Sequence, residues 1–137
     1  MSELVLKETR LLPHLNPGTL SRHELNMLRP ISASMGLMLE SISPSLYEPG
    51  GPHALAPSKR PRVRLRTLEL AGQLGIPFTT GLLIGLGDSI DDQIDGLLAI
   101  RDLHDRYGHV QEVILQNFRA KPNTPMAGIP NPDLDEM

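Results

Sequence analysis

The chain has 137 residues, 39% of them hydrophobic and 21% charged, enough for one folded domain and too apolar for a disordered one. A net charge of −3 gives no electrostatic reason to expect nucleic acid as a partner. There is no cysteine, which excludes disulfides, thiolate zinc sites and a cysteine-held iron–sulfur cluster within these residues.

The stretch from Met1 to Leu12 mixes Glu3, Lys7, Glu8 and Arg10 with apolar residues, so it is not a signal peptide. No apolar run approaches the roughly 20 residues of a membrane helix. A cytoplasmic protein with no membrane association is expected. Leu11 to Leu15 is short and apolar and stops at Asn16-Pro17-Gly18, a turn signal. Ser21 to Leu28 predicts a helix, with Ser21 as its cap and Glu24 completing a capping box. Ser32 to Leu39 is a second apolar run. The loop 43–61 carries Pro44, Pro49, Pro52, Pro57 and Pro61, and proline fixes φ and removes a donor, so it is irregular. Helical spacing of Val63, Leu65, Leu68, Leu70 and Leu74 predicts a helix over Arg62–Leu74, stopped by Gly75. Phe78 to Ile84 is a third strand, closed by Gly85-Leu86-Gly87. Ser89 caps the next helix, with Asp91 and Asp92 in its first turn and Ile94, Leu97, Leu98 and Ile100 to Leu103 as its apolar face. Val113 to Phe118 is the last strand, followed by an irregular tail over 121–137.

Helical segments between short apolar strands predict an α/β fold with a parallel sheet and right-handed crossovers. The strands lack clean polar alternation, which predicts cover on both faces. An open doubly wound sheet and a slice of a (β/α) barrel both fit.

In either architecture chemistry gathers where strands hand over to helices. The exits offer His14 and Asn16, then Met38 and Glu40, then Thr79 and Thr80, then Gln116, Asn117 and Arg119. The Gly85-x-Gly87 turn lacks the Lys-Ser/Thr of a P-loop and the third glycine of a dinucleotide fingerprint, so by itself it is a tight turn after a buried strand. Glu40 is equally a solvated loop carboxylate or a ligand residue. On pattern alone Arg64 is an ordinary surface arginine near a helix start. His53, His104 and His109 have no metal-ligand spacing, and no metal site is expected in this chain.

Longer strings narrow the reading. Leu12-Pro13-His14-Leu15-Asn16-Pro17-Gly18, Ser32-Ala33-Ser34-Met35-Gly36-Leu37-Met38-Leu39-Glu40 and Glu48-Pro49-Gly50-Gly51-Pro52-His53 follow one another in the order found in one family. Pro77-Phe78-Thr79-Thr80-Gly81-Leu82-Leu83-Ile84-Gly85 and Gln116-Asn117-Phe118-Arg119-Ala120-Lys121-Pro122 continue the match. From about Leu11 to Gly128 the chain resembles the FO synthases, radical S-adenosylmethionine (SAM) enzymes that build the deazaflavin chromophore of coenzyme F420. The resembling part is their cyclising subunit or N-terminal half.

The resemblance implies a partial six-stranded (β/α) barrel of the TIM type. Residues 1–137 would form part of its radical SAM core domain and supply about the third to sixth strands. It implies a lyase in which a 4Fe–4S cluster on three cysteines cleaves SAM to a 5′-deoxyadenosyl radical. The radical acts on an adduct of a tyrosine-derived hydroxybenzyl group and a ribitylaminouracil, with release of ammonia. Residue by residue, it assigns Glu40 to the SAM ribose and Arg64 to the SAM carboxylate. Leu83 and Ile84 become the wall behind adenine, and Gly85 a point of close backbone approach. His14, Asn16, Thr79, Gln116 and Asn117 become substrate-facing; no catalytic residue is assigned. The CxxxCxxC cluster motif is absent, and Asp88-Ser89 stands where Glu-Thr is more usual. The chain is therefore expected to be an inactive internal piece of a larger enzyme. Its partner would be the missing N-terminal barrel part or a second FO synthase subunit that brings the cluster. The other readings are a non-catalytic truncated α/β module, a split-enzyme part, or a piece of another radical SAM barrel enzyme.

Overall fold

The computed structural model describes residues 1–124 and 126–133; of the tail read from the sequence, Pro125 and residues 134–137 lie outside the described residues. The elements are α1 (Ser2–Glu8), β1 (His14–Leu15), α2 (Arg22–Leu28), β2 (Ser34–Gly36), α3 (Pro61–Gln73), β3 (Phe78–Ile84), α4 (Ile90–Tyr107) and β4 (Val110–Asn117). Short 3-10 turns occur at Arg29–Ile31, Pro44–Tyr47 and Pro57–Lys59. Among the described residues no helix is long and apolar enough to cross a membrane.

The helix starts follow the predicted capping chemistry. Ser21 accepts from the Glu24 amide and Glu24 reaches back to Ser21; Ser89 and Asp92 do the same for α4. Those hydrogen bonds from Ser89 hold the Asp92 carboxyl below its usual pKa. Helix α4 ends on Gly108 at φ 64, a left-handed position that favours glycine. Helix α1 was not apparent in the sequence. It buries no residue, so no apolar stripe marks it.

The sheet has four strands in the order β1-β2-β3-β4, every neighbouring pair parallel. Strand order follows chain order throughout. The reversal that a doubly wound sheet needs is not among these four strands. Beyond β2 the chain touches the sheet once more, through an isolated bridge from Glu40 to Leu82.

Cover on both faces was expected, and the structure corrects this. The core lies on one face, where Met35, Phe78, Leu82 and Ile84 meet Leu25 of α2, Leu68 and Ala71 of α3, and Ile100 and Leu103 of α4. The opposite face is an open cavity lined by both polar and apolar side chains. Alternation is present in β3 after all, since Phe78, Thr80, Leu82 and Ile84 are buried while Thr79 and Leu83 are half-buried. Gly81, buried although it lies on the cavity face, masks the pattern.

The apolar face read for α4 is also only partly used. Ile100 and Leu103 are buried, but Ile94, Leu97 and Leu98 remain exposed. The reason is β4, the last strand of the sheet, beyond which no described strand packs.

Candidate functional site

A cavity of about 890 Å³ lies on the open face of the sheet. Its floor follows from register. His14 stands beside Ser34, Gly36 beside Thr79, and Thr79 beside Glu112. His14 Nδ1 and Ser34 Oγ are 2.7 Å apart, which fixes the imidazole across the two short strands. Gly36 is needed for space, because a Cβ there would lie 2.9 Å from His14 Nε2 and would also strike the Asn16 side chain. Thr79 was read as a strand-exit residue. It is in fact the second residue of β3, and reaches the cavity because it is on the open face. Its neighbour Thr80 is fully buried on the helix side, with no hydrogen-bond partner for its hydroxyl.

The rim carries the charge. Glu40 is held at φ 67, a backbone conformation that non-glycine residues seldom adopt. Its amide donates to Gly81 O at 3.0 Å, and its carbonyl accepts from the Leu83 amide at 2.8 Å, so the sheet itself imposes the turn. Oε1 accepts from Arg64 at 2.9 Å, while Oε2 faces Lys59 at 2.9 Å and His53 at 3.3 Å. The His53 contact is within reach of charge but outside hydrogen-bonding geometry. Burial first, and then the Lys59 charge, lower the His53 pKa, so the ring is mostly neutral at pH 7. Two permanent cations therefore surround one carboxylate, leaving the cluster with surplus positive charge.

Arg64 is not the surface arginine that its pattern suggested. It is 8% exposed, and its guanidinium donates to Ser58 O at 3.2 Å and to Met38 O. Behind it the Tyr47 hydroxyl donates to Ser41 O at 3.1 Å; burial, and next the Glu40 charge, push its pKa up to about 12.

The cavity thus gathers Glu40, Arg64, His14, Asn16, Thr79 and Gln116 from the residues picked out in the sequence. Four others sit elsewhere. Leu83 shares the face of Gln116 by register without lining the cavity. Ile84 belongs to the core, 5% exposed. Close approach at Gly85 is made by the Pro132 ring, 2.5 Å from where a Cβ would stand. Asn117, with its amide turned to satisfy both groups, accepts from Arg119 at 2.9 Å and 3.2 Å. Among the residues the sequence did not single out for the site are Lys59, His53, Ser34, Gln111 and Glu112. His53 stood in a quoted string, but only the fold of loop 43–61 brings it and Lys59 to Glu40. A larger hollow of about 1070 Å³ lies in the helix layer by Leu20, Leu65 and Ala99, away from the strand ends. Among the described residues no group of three or more His, Cys, Asp or Glu is placed to hold a metal ion.

No family model matches the chain. It is 52% identical over 137 residues to the 7,8-didemethyl-8-hydroxy-5-deazariboflavin synthase of Methanothermobacter thermautotrophicus, covering all of this chain and 41% of that protein. It is 50% identical over 134 residues to the FO synthase of Streptomyces avermitilis, covering 97% of this chain and 16% of that protein. The chain is a segment of FO synthase sequence. A third relative, the 7,8-didemethyl-8-hydroxy-5-deazariboflavin synthase of Methanopyrus kandleri, is 50% identical over 127 residues, 93% of this chain and 38% of its own length. The chain spans 16% to 41% of the length of these relatives. The FO synthase likeness read from the strings therefore extends over nearly the whole chain, through the loop that carries His53 and Lys59 as well as the strands.

Proposed function

We propose that this FO synthase segment forms one wall of the active site of a radical SAM lyase, and that its open sheet face is the interior of a partial (β/α) barrel. The observation that carries the reading is the Glu40–Arg64 pair, 2.9 Å apart, set on the rim of an open cavity above the strands. Strand order matching chain order supports the barrel, because a barrel wall grows in one direction.

The residues fit SAM. Glu40 has about four lone-pair sites, and its two close cation contacts leave room to accept from a ribose diol. The surplus positive charge around Arg64 and Lys59 complements a ligand carboxylate. His14, Asn16, Thr79 and Gln116 offer donors and acceptors to an oxygen- and nitrogen-rich substrate, as a ribitylaminouracil adduct would be. The residues do not fit a 4Fe–4S cluster, for there is no cysteine to ligate one. The cluster, which in such enzymes supplies the electron that opens SAM, would be held by an N-terminal barrel part or a partner subunit. We place the assembled enzyme in the cytoplasm.

Co-expression with the N-terminal, cysteine-bearing portion of an FO synthase tests this reading. Expected results are iron bound to the pair, SAM-dependent 5′-deoxyadenosine release with reductant, and loss of SAM binding in Glu40→Ala. Release of 5′-deoxyadenosine by this chain alone, or unchanged SAM affinity in Glu40→Ala, overturns it.

A further inference from the structure

The turn that carries Glu40 is strained, and a buried network stands behind it. The Ser41 amide donates to Leu39 O at 3.0 Å, two residues back. With Glu40 at φ 67, that bond makes Glu40 the middle residue of a γ-turn of the rare hand. Relaxation to a negative φ would swing the Glu40 side chain away from Arg64 and Lys59. The sheet bonds to Gly81 and Leu83 hold the peptide groups of Glu40 itself. The leg that follows is held by Ser41, which is 1% exposed and has all its polar groups engaged. Its hydroxyl donates to Asp88 Oδ2 at 3.0 Å and accepts from the Ser43 amide at 3.1 Å. Its carbonyl accepts from the Tyr47 hydroxyl at 3.1 Å. Leu39, Ser41 and Ser43 are all buried, which leaves Glu40 between them to line the cavity.

Asp88 lies at the end of the Gly85-Leu86-Gly87 turn, far along the chain from Ser41. Its Oδ1 is buried with no partner among the described residues, so the Ser41 hydroxyl is what its carboxylate holds. A carboxylate oxygen buried without a partner costs stability, so stability does not account for Asp88 in this place. A second tie lies beside the first. After the two hydrogen bonds from Ser89, one from Ser43 also lowers the Asp92 pKa. The segment behind Glu40 is thus fastened to the start of α4. We propose that Ser41 and Asp88 are positioning residues: they hold the γ-turn that aims the Glu40 carboxylate into the cavity, and so set the affinity of the site for its ligand. The ligand's identity rests on the SAM reading; the mechanics rest on the turn alone.

Two measurements separate the turn from its ligand. The first needs no SAM. Amide hydrogen exchange by NMR is expected to show Glu40 and Leu83 protected in this chain. Asp88→Ala and Ser41→Ala are each expected to speed exchange at those two amides about tenfold, as loss of one hydrogen bond would. Met35 and Leu37, which donate to Pro77 O and Thr79 O, should keep their rates. Asp88→Asn keeps an oxygen for the Ser41 hydroxyl and should stay within about twofold of the unsubstituted chain. All three substitutions leave the Ser89–Asp92 box intact. The second measurement uses the pair assembled with the cysteine-bearing portion. There Asp88→Ala should weaken SAM binding about tenfold, and Asp88→Asn far less. Exchange accelerated throughout the sheet would mark a merely structural role and overturn the proposal. So would an unprotected Glu40 and Leu83 in the unsubstituted chain, or unchanged SAM affinity in Asp88→Ala where Glu40→Ala loses it. If the unsubstituted pair binds no SAM, the SAM reading falls, and exchange at Glu40 and Leu83 decides the positioning role by itself.

Discussion

The two faces of the sheet use the same strands for opposite purposes. In β3, Phe78, Thr80 and Leu82 turn toward the helices and are at most 1% exposed. Thr79, one residue away, turns into the cavity beside Glu112. The helix-facing side is closed and sets stability. The cavity-facing side is open, mixed in polarity and charged at its rim, and its residues are free to meet a ligand. A one-residue step along a strand separates a residue that holds the fold from one that does chemistry.

Substitutions on either face test how sharp that division is. The largest effect is expected on the closed side: Phe78→Ala should cost about 3–5 kcal/mol in urea denaturation, as loss of a buried aromatic does. Thr79→Ala should cost well under half as much; equal losses would show that the faces are not divided in this way. Arg64→Ala should come next, at about 3 kcal/mol, because it leaves Glu40 and the Met38 and Ser58 carbonyls short of a buried partner. A loss below about 1 kcal/mol would mean that solvent takes over those contacts.

Acid should weaken the closed side through His109. This ring is 5% exposed beside Phe78 and Tyr107, and burial lowers its pKa from 6.5. The unfolded chain then takes up the proton at higher pH than the folded one. Stability from the neutral ring is complete above about pH 6.5 and declines as pH falls toward the lower folded value. Thermal melts from pH 8 to pH 5 should show the decline, and His109→Phe should flatten it; a pH-independent melting temperature would contradict the assignment. The smallest effect is expected at Thr80. Its buried hydroxyl has no partner, so Thr80→Val should be neutral or stabilising by about 0.5–1 kcal/mol. A clear loss in calorimetry would reveal a partner, such as water, for that hydroxyl.

Local chemistry was the legible part of this sequence. The boxes at Ser21–Glu24 and Ser89–Asp92 were readable because a cap acts within one helical turn. The strand β3 was readable because its apolar run is bounded by turns. Less visible was α1, whose helix buries nothing, and the one-sided sheet, whose alternation Gly81 conceals. For Arg64, position near a helix start suggested a surface residue, and the distant Glu40 decided otherwise.

Residue type and spacing alone determined the α/β class, the helix caps, the lack of any thiolate for a metal cluster, and the FO synthase likeness. Each of these depends on neighbours in the chain or on an element being absent. Tertiary structure decided which face of the sheet is covered, which of the chosen residues share a cavity, and that Lys59 and His53 close around Glu40. Such outcomes depend on contacts between residues in different segments of the chain, and the pattern within any one segment does not encode them.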